Sequence, residues 1–213
     1  MRIGVFGSGM VAQTVGKKLA ELGHDVMLGT RDAGKLAEWQ GQVGGQGNVG
    51  SYAETAAHGD ILINATAGTG SLAALELAGA DNLGAKILID IANPLDFSQG
   101  MPPSLTVVNT DSLGEQIQRT YPSLRVVKTL NTMNAYLMVD PRQLADGDHD
   151  IFVSGNDAAA KAEVSELLRE FGWSRIIDLG DITTARGTEM ILPLWVRLYG
   201  AQDTPMFNFK VVR

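Results

Sequence analysis

The sequence predicts an α/β protein, a Rossmann-type doubly wound parallel sheet with a small C-terminal α+β extension. Short apolar runs alternate with helical patterns over the first two-thirds of the 213 residues, as βαβ units require. A glycine-rich motif lies between the first predicted strand and the first helix, and the 25 glycines show no collagen-like period. Residues 1–140 are therefore predicted to form the Rossmann domain and residues 141–213 the extension, unless both belong to one continuous domain.

The N-terminal half alternates strands and helices regularly. Apolar runs predict strands at residues 3–6, 24–28, 48–49, 60–65 and 86–91. Apolar residues at helical spacing predict helices at residues 10–22, 33–43, 51–57 and 71–77. Ser51 and Glu54 have the spacing of a capping box, which marks the start of the third of these helices.

The C-terminal half is less regular, because Asn93 and Pro94 interrupt the pattern and residues 94–110 are predicted to be an irregular loop. Strands are predicted at residues 125–129, 150–153 and 175–178, and helices at 110–121, 157–171 and 181–199. Pro193 should kink the last helix. The tail, residues 207–212, alternates like an edge strand or an intersubunit strand.

Composition excludes several classes of function. The absence of cysteine excludes disulfides and thiolate chemistry, and the three histidines are too dispersed for a metal site, so we expect no metal. A formal net charge of −7 argues against a nucleic-acid partner. No apolar run is long enough to cross a membrane, and the N-terminus reads as a strand rather than as a signal peptide. We therefore expect a cytoplasmic protein whose partner is a small molecule.

The first loop has the pattern G-x-G-x-x-A, running from Gly7 through Ser8, Gly9, Met10 and Val11 to Ala12. In a strand–turn–helix context, the first glycine permits the tight turn and the second lets a pyrophosphate approach the backbone. The N–H groups at the start of the helix then face the phosphates. The motif predicts a dinucleotide site, and the alternative is a glycine turn without a ligand.

The end of the second strand indicates which dinucleotide. An NAD-binding domain has a carboxylate there, whereas this chain has Thr30 and Arg31. Arg31 can bind a 2′-phosphate bidentately, and Lys35 adds a second positive charge one turn later. These residues predict NADP(H). The alternative is a solvated Arg31 that pairs with Asp32.

Small and polar residues follow two later strands. Thr66 and Ala67 come after the fourth strand, and Asn93 comes after the fifth. Ligands of open α/β sheets bind at the carboxyl ends of strands, where the strand order reverses. These residues are therefore expected to line the ribose and nicotinamide, unless the small ones serve packing alone.

The chain resembles the family of NADPH:coenzyme F420 oxidoreductases, whose Rossmann module is also similar to the cytosolic domain of membrane metalloreductases. The matching segments are distributed along nearly the full length of the chain, at residues 3–16, 23–35, 60–61, 86–94, 127–135, 186–189 and 207–213. The resemblance implies hydride transfer between NADP(H) and a deazaflavin.

It also implies roles for single residues. In the family's pattern the pyrophosphate is bound by Ser8, Gly9, Met10 and Val11. The 2′-phosphate is bound by Thr30, Arg31 and Lys35. Thr66 and Ala67 would line the ribose, and backbone groups of Met133 and Ala135 would position the nicotinamide amide. One departure concerns the second substrate: family members that use the deazaflavin commonly have a proline and a tryptophan after the fourth strand, where this chain has Ala67 and Gly68.

The predicted function is thus an NADP-dependent oxidoreductase that acts on coenzyme F420 or on a related flavin, quinone or small acceptor. No catalytic acid or base is assigned, because hydride transfer depends mainly on alignment. The apolar C-terminal helix and the tail suggest a homodimer, unless the helix only covers the chain's own sheet. One alternative is a non-catalytic NADP(H) sensor. Another is an imine or hydroxyacid reductase, for which Lys128, expected at the surface, and Asn131 are the nearby polar candidates.

Overall fold

The computed structural model describes residues 1–213, and an eight-stranded sheet forms its centre. Its strands are β1 (Arg2–Phe6), β2 (Asp25–Gly29), β3 (Gly47–Gly50), β4 (Ile61–Asn64), β5 (Ile87–Asp90), β8 (Arg125–Lys128), β9 (Ile151–Ser154) and β10 (Ile176–Gly180). A two-stranded hairpin lies between β5 and β8 in the chain, formed by β6 (Leu95–Asp96) and β7 (Ser104–Leu105).

Ten α-helices complete the fold. They are α1 (Met10–Glu21), α2 (Ala37–Val43), α3 (Tyr52–His58), α4 (Ser71–Ala78), α5 (Ala80–Leu83), α6 (Leu113–Thr120), α7 (Ala135–Val139), α8 (Ala158–Glu170), α9 (Ala185–Met190) and α10 (Leu192–Gln202). None combines the length and hydropathy that crossing a bilayer requires.

The strand order is β10-β9-β8-β5-β4-β1-β2-β3. The six neighbouring strands β3, β2, β1, β4, β5 and β8 are all parallel. β9 pairs antiparallel with β8 through the single pair Lys128–Ser154. β10 runs parallel to β9, so the last two strands continue the same sheet. The order reverses between β1 and β4, which confirms the predicted Rossmann-type fold and fixes the edge at which a ligand should bind.

The core lies on both faces of the sheet because the central strands carry apolar side chains on both faces. In β4 the side chains of Ile61 and Ile63 join a cluster of 29 buried residues on one face, and Leu62 joins a cluster of 14 on the other. This alternation is the period of two that a strand imposes. Burial of each such side chain contributes about 1.5–3 kcal/mol.

Local sequence signals set several helix starts. Ser51 accepts a hydrogen bond from the Glu54 N–H, and the Glu54 carboxylate accepts one from the Ser51 N–H, so the predicted capping box is confirmed. Asn134 caps α7 by accepting hydrogen bonds from the N–H groups of Tyr136 and Leu137. The sequence does not predict this short helix, because five residues are too few to show a helical period.

Three local predictions need correction. Residues 94–110 contain the β6–β7 hairpin, which is too short to give an alternating pattern. The predicted helix over 181–199 is two helices, α9 and α10, and Pro193 lies in the first turn of α10, where its missing N–H needs no partner.

The tail is not an edge strand within this chain. Instead, polar contacts hold it beside the start of β9: the Asp150 N–H donates to the Phe209 carbonyl at 3.0 Å. The Asn208 side chain donates to the Asp150 carbonyl at 3.0 Å. The tail therefore closes over His149 and Asp150 without forming a ladder.

Candidate functional site

The carboxyl ends of β1 and β4 meet where the strand order reverses, and the predicted site residues gather there. Two cavities open at this edge, and both are lined by Ala65, Thr66 and Ala67. The first, here called the glycine-loop cavity, has a volume of about 350 Å³ and contains Gly7, Ser8, Gly9 and Arg31. The second, here called the apolar cavity, has a volume of about 330 Å³.

The glycine loop has the geometry that its motif predicts. Gly7 has φ +130°, and a Cβ there would lie 2.6 Å from the carbonyl oxygen of Ala65. Gly9 has φ −80°, and no atom lies within 4 Å of where its Cβ would be. Gly7 is therefore required by the backbone, whereas Gly9 leaves an open space above the helix.

The N-terminus of α1 faces that space. No side chain caps the helix at Gly9, and its first turn contains no acidic residue. Its N–H groups and the positive end of its dipole are thus free to bind an anion. Close packing holds the helix in place, because a Cβ on Gly16 would lie 2.6 Å from the Leu28 side chain. The helix start therefore has the free N–H groups and the open space that the motif predicts for a pyrophosphate site.

The end of β2 presents a cation without a protein partner. Arg31 is exposed, lines the glycine-loop cavity and makes no ion pair. The alternative of an Arg31–Asp32 pair is wrong, because the Asp32 carboxylate instead accepts a hydrogen bond from the Gly34 N–H at 3.1 Å. Thr30 is buried, and its hydroxyl oxygen accepts from the Asp32 N–H at 3.1 Å. Lys35 is exposed and also unpaired, but it does not line the cavity.

The apolar cavity collects residues from six segments of the chain. Its lining includes the predicted residues Val11, Thr66, Ala67, Asn93 and Met133. The remaining members are Ala65, Gly68, Thr69, Ile91, Ala92, Leu95, Phe97, Asn131, Met138, Leu192 and Trp195. Met10 and Ala135, by contrast, line an adjoining groove of about 520 Å³ that also includes Tyr136 and Tyr199. The structure therefore brings together the predicted residues except Thr30, which is buried, and Lys35, neither of which lines any of these spaces.

Two asparagines define one wall of the apolar cavity. The Asn93 amide donates to the Asn131 carbonyl at 2.8 Å, and the Asn131 amide donates to Asn93 Oδ1 at 2.9 Å. Gly68 packs against the same wall, where a Cβ would collide with the carbonyl oxygen of Asn93. Position 68 therefore accepts no side chain as the backbone stands.

A buried ion cluster lies behind this wall. Lys128 is fully buried, and its Nζ lies 2.9 Å from Asp90 Oδ2 and 2.9 Å from Glu189 Oε1. It also donates to the Ala92 carbonyl. Burial would lower the pKa of Lys128, but attraction to both carboxylates outweighs it and raises the pKa above its usual value. The expectation of a surface charge was wrong, because the extension supplies Glu189 from α9.

A hydrogen-bond network continues from this cluster toward the site. The Asn64 amide donates to Asp90 Oδ1 at 2.8 Å and to Ser71 Oγ at 2.9 Å. The Thr66 hydroxyl donates to Asn64 Oδ1 at 2.7 Å. Thr66, at the junction of the two cavities, is therefore held from beneath by buried polar groups.

Sequence reasoning missed the aromatic residues of the site. Tyr52 lines the glycine-loop cavity, and Phe97 and Trp195 line the apolar cavity. The Trp195 ring packs against Tyr199 at a centroid distance of 5.8 Å and against Phe207 at 5.1 Å. An aromatic residue in a loop or on an amphipathic helix gives no signal that separates packing from ligand contact. No group of three His, Cys, Asp or Glu side chains is arranged to hold a metal ion.

Comparisons with known proteins agree with this geometry. The family model described as NADP oxidoreductase, coenzyme F420-dependent, matches residues 2–94. A 1.70 Å crystal structure from Arthrobacter sp. FB24, provisionally named an F420-dependent NADP-reductase, shares 58% identity, with a TM-score of 0.97 and coverage of 100% of both chains.

Curated relatives are more distant. The chain is 28% identical to metalloreductase STEAP3 of Rattus norvegicus over 91% of its own length and 38% of that protein. It is 30% identical to the F420-dependent NADP reductase of Methanocaldococcus jannaschii over 55% of its own length and 52% of that protein. The chain thus spans about half or less of the length of these curated relatives.

Proposed function

The chain belongs to the family of coenzyme F420-dependent NADP oxidoreductases, and on that premise we propose that it transfers a hydride between NADP(H) and a conjugated ring acceptor. Coenzyme F420 and flavins are the first acceptors to test. One observation supports the proposal above all: an uncapped helix N-terminus and an unpaired arginine share one cavity, which adjoins an apolar one.

We assign the dinucleotide to the glycine-loop cavity. Ser8, Gly9, Met10 and Val11 would hold the pyrophosphate through backbone N–H groups, which need no compensating charge at a helix N-terminus. Arg31 would bind the 2′-phosphate, with Thr30 beside it and Lys35 contributing at longer range.

The nicotinamide half belongs at the junction of the two cavities. Thr66, Ala67 and Asn93 would lie along the ribose, and backbone groups of Met133 and Ala135 would hold the carboxamide. When bound, NADPH supplies the hydride from its nicotinamide ring. The chain aligns the reactants and excludes water, for which the buried side chain of Met133 and the partly buried Val11 are suited.

Stopped-flow oxidation of NADPH tests the proposal. We expect rapid oxidation with at least one acceptor among coenzyme F420, FMN and quinones, and tight NADPH binding by fluorescence titration without an acceptor. Tight binding with no turnover of any acceptor would support the sensor alternative instead. The comparisons do not favour that alternative, since the named relatives are reductases.

We also propose a homodimer. Exposed apolar side chains remain on the C-terminal part of the chain, including Leu194, Val211 and Val212. Contiguous exposed apolar surface commonly marks an interface. Sedimentation equilibrium should give twice the mass of one chain, and a monomer at micromolar concentration would contradict the proposal.

A further inference from the structure

We propose that the apolar cavity selects neutral, conjugated carbonyl compounds of the quinone class, and that water supplies the proton of the reaction. This inference rests on the proposed hydride transfer. It concerns the acceptor alone, and its three supports are the chemistry of the lining, the state of its polar groups and the position of the nearest buried charge.

The lining carries no ionisable side chain. None of its 16 residues is Asp, Glu, Lys, Arg, His, Tyr or Cys. Eleven of the 16 are hydrophobic, and Leu192 and Met133 are almost completely buried. An anionic group placed here would lose its hydration without gaining a partner, which is strongly unfavourable. The cavity therefore favours a neutral acceptor.

Most polar groups of the lining are already engaged. Asn93 and Asn131 bond to each other, and the second N–H of the Asn131 amide reaches the Thr188 carbonyl at 2.9 Å. The Thr66 hydroxyl donates to Asn64. A group that is committed in this way can orient an acceptor but cannot act as a general acid toward it.

Lys128 is the charged group behind the wall, and it cannot supply a proton either. An ammonium has three N–H donors, and here Asp90, Glu189 and the Ala92 carbonyl take all three. Proton release would also leave two buried carboxylates without a counter-charge, which is why its pKa is raised. The apolar cavity thus contains no proton donor of the kind that reduction of an isolated ketone or imine needs, and the phenols of Tyr136 and Tyr199 lie outside it, in the adjoining groove.

Without a proton donor in the cavity, the acceptor must be one whose reduced form is only weakly basic. Hydride transfer breaks the C4–H bond of the dihydronicotinamide and gives the acceptor one hydrogen and two electrons, leaving negative charge on an acceptor oxygen. An isolated ketone would become an alkoxide, which is about as strong a base as hydroxide. A quinone becomes a phenolate, whose conjugate acid has a pKa of about 10, and one proton from water then completes the hydroquinone.

The lining of the cavity offers aromatic surface to a flat ring. Trp195 and Phe97 both line it, and aromatic faces prefer stacked or edge contacts with planar π-systems. Stacking against Tyr199 and Phe207 fixes the plane of the indole.

The test compares matched acceptors at saturating NADPH. We expect 1,4-naphthoquinone to be reduced with a kcat/KM at least tenfold higher than its 2-sulfonate, and cyclohexanone not to be reduced. The kcat/KM for naphthoquinone should be flat between pH 6 and pH 9. Equal turnover of the sulfonate, reduction of cyclohexanone, or a bell-shaped pH profile would each overturn the inference.

Binding gives a readout that does not depend on turnover. Naphthoquinone should quench the emission of Trp195, and Trp195→Phe should remove this quenching, because Trp39 and Trp173 are buried and do not line the cavity. Quenching that survives in Trp195→Phe would place the quinone elsewhere and contradict the assignment.

The strongest control adds a positive charge to the lining and asks whether the anionic sulfonate then becomes a better acceptor. Thr69 is exposed and lines the cavity. Thr69→Lys should raise kcat/KM for the sulfonate at least fivefold, whereas Thr69→Gln, of similar length, should not. If coenzyme F420 is reduced but naphthoquinone is refused, this inference fails while the proposed function stands. If no acceptor oxidises bound NADPH, both fail.

Discussion

The ammonium of Lys128 lies 2.9 Å from Asp90 Oδ2, and both side chains are fully buried. The pair joins the ends of β5 and β8, and Glu189 completes it from α9. Because Glu189 also accepts hydrogen bonds from the Leu113 and Gly114 N–H groups, the cluster ties the C-terminal segment to the wall of the apolar cavity.

Removing the cation should destabilise the protein strongly. Lys128→Met leaves Asp90 and Glu189 buried without a counter-charge, and we expect a loss of about 3–5 kcal/mol in the free energy of unfolding, measured by urea denaturation. Arg2→Met is the matched control, since Arg2 and Asp60 form an exposed pair. It should change stability far less. Equal effects of the two substitutions would contradict the role of burial.

Arg31 should distinguish NADPH from NADH. We expect Arg31→Ala to raise the Kd for NADPH at least tenfold and to leave the Kd for NADH nearly unchanged, because the lost contact is to the 2′-phosphate. Arg31→Lys should lie between the two, since it keeps the charge and loses the planar fork. Equal weakening of both nucleotides in a fluorescence titration would show that Arg31 does not contact the 2′-phosphate.

Gly9 should be required for binding but not for folding. Its φ of −80° suits any residue, and a side chain there would enter open space above α1. Gly9→Val should therefore abolish binding of NADPH and NADH with little change in Tm. Gly41→Val, at an exposed helical position with equally open space, should leave binding intact. Gly7→Ala should instead lower the Tm, because of both its φ and its contact with Ala65.

Gly68 and Gly70 form a matched pair in the turn after β4. Gly68→Ala would force the Asn93 backbone to move and disturb the Asn93–Asn131 pair, so we expect a rise in the KM for the acceptor and a lower Tm. A Cβ on Gly70 meets no atom within 4 Å, and Gly70→Ala should behave like the wild type in both measurements. Similar behaviour of the two variants would show that the wall is adaptable.

One pH dependence follows from Asp111. Hydrogen bonds from Arg119 hold the pKa of Asp111 well below its ordinary value. A lowered folded-state pKa adds stability above the unfolded pKa of about 3.9, and this stability is lost as the pH falls toward the folded value. Asp111→Asn should therefore be less stable than the wild type at pH 7, and urea midpoints should converge below pH 4. A constant difference down to pH 2 would rule out this origin.

The sequence by itself determined the sheet of residues 1–94 and predicted the residues of the nucleotide end of the candidate site. Strands such as β4 are buried at every position and apolar at the first three, and the glycine motif depends on backbone rules that act within a few residues. Both can therefore be read locally. The cations at the end of β2 followed from position alone. The C-terminal tail did not, because its contacts are to His149 and Asp150 and obey no local period.

Only the tertiary structure decided the acceptor end. Lys128 reads as a surface residue until Glu189, 61 positions away, is packed against it, and the lining of the apolar cavity joins residues from Val11 to Trp195. The sequence likewise gives no sign that Gly68 must be a glycine, whereas the contact of a Cβ with the Asn93 backbone makes it obligatory. Burial, ion pairing and cavity shape depend on contacts between distant segments, and a pattern along the chain cannot encode which segments will meet.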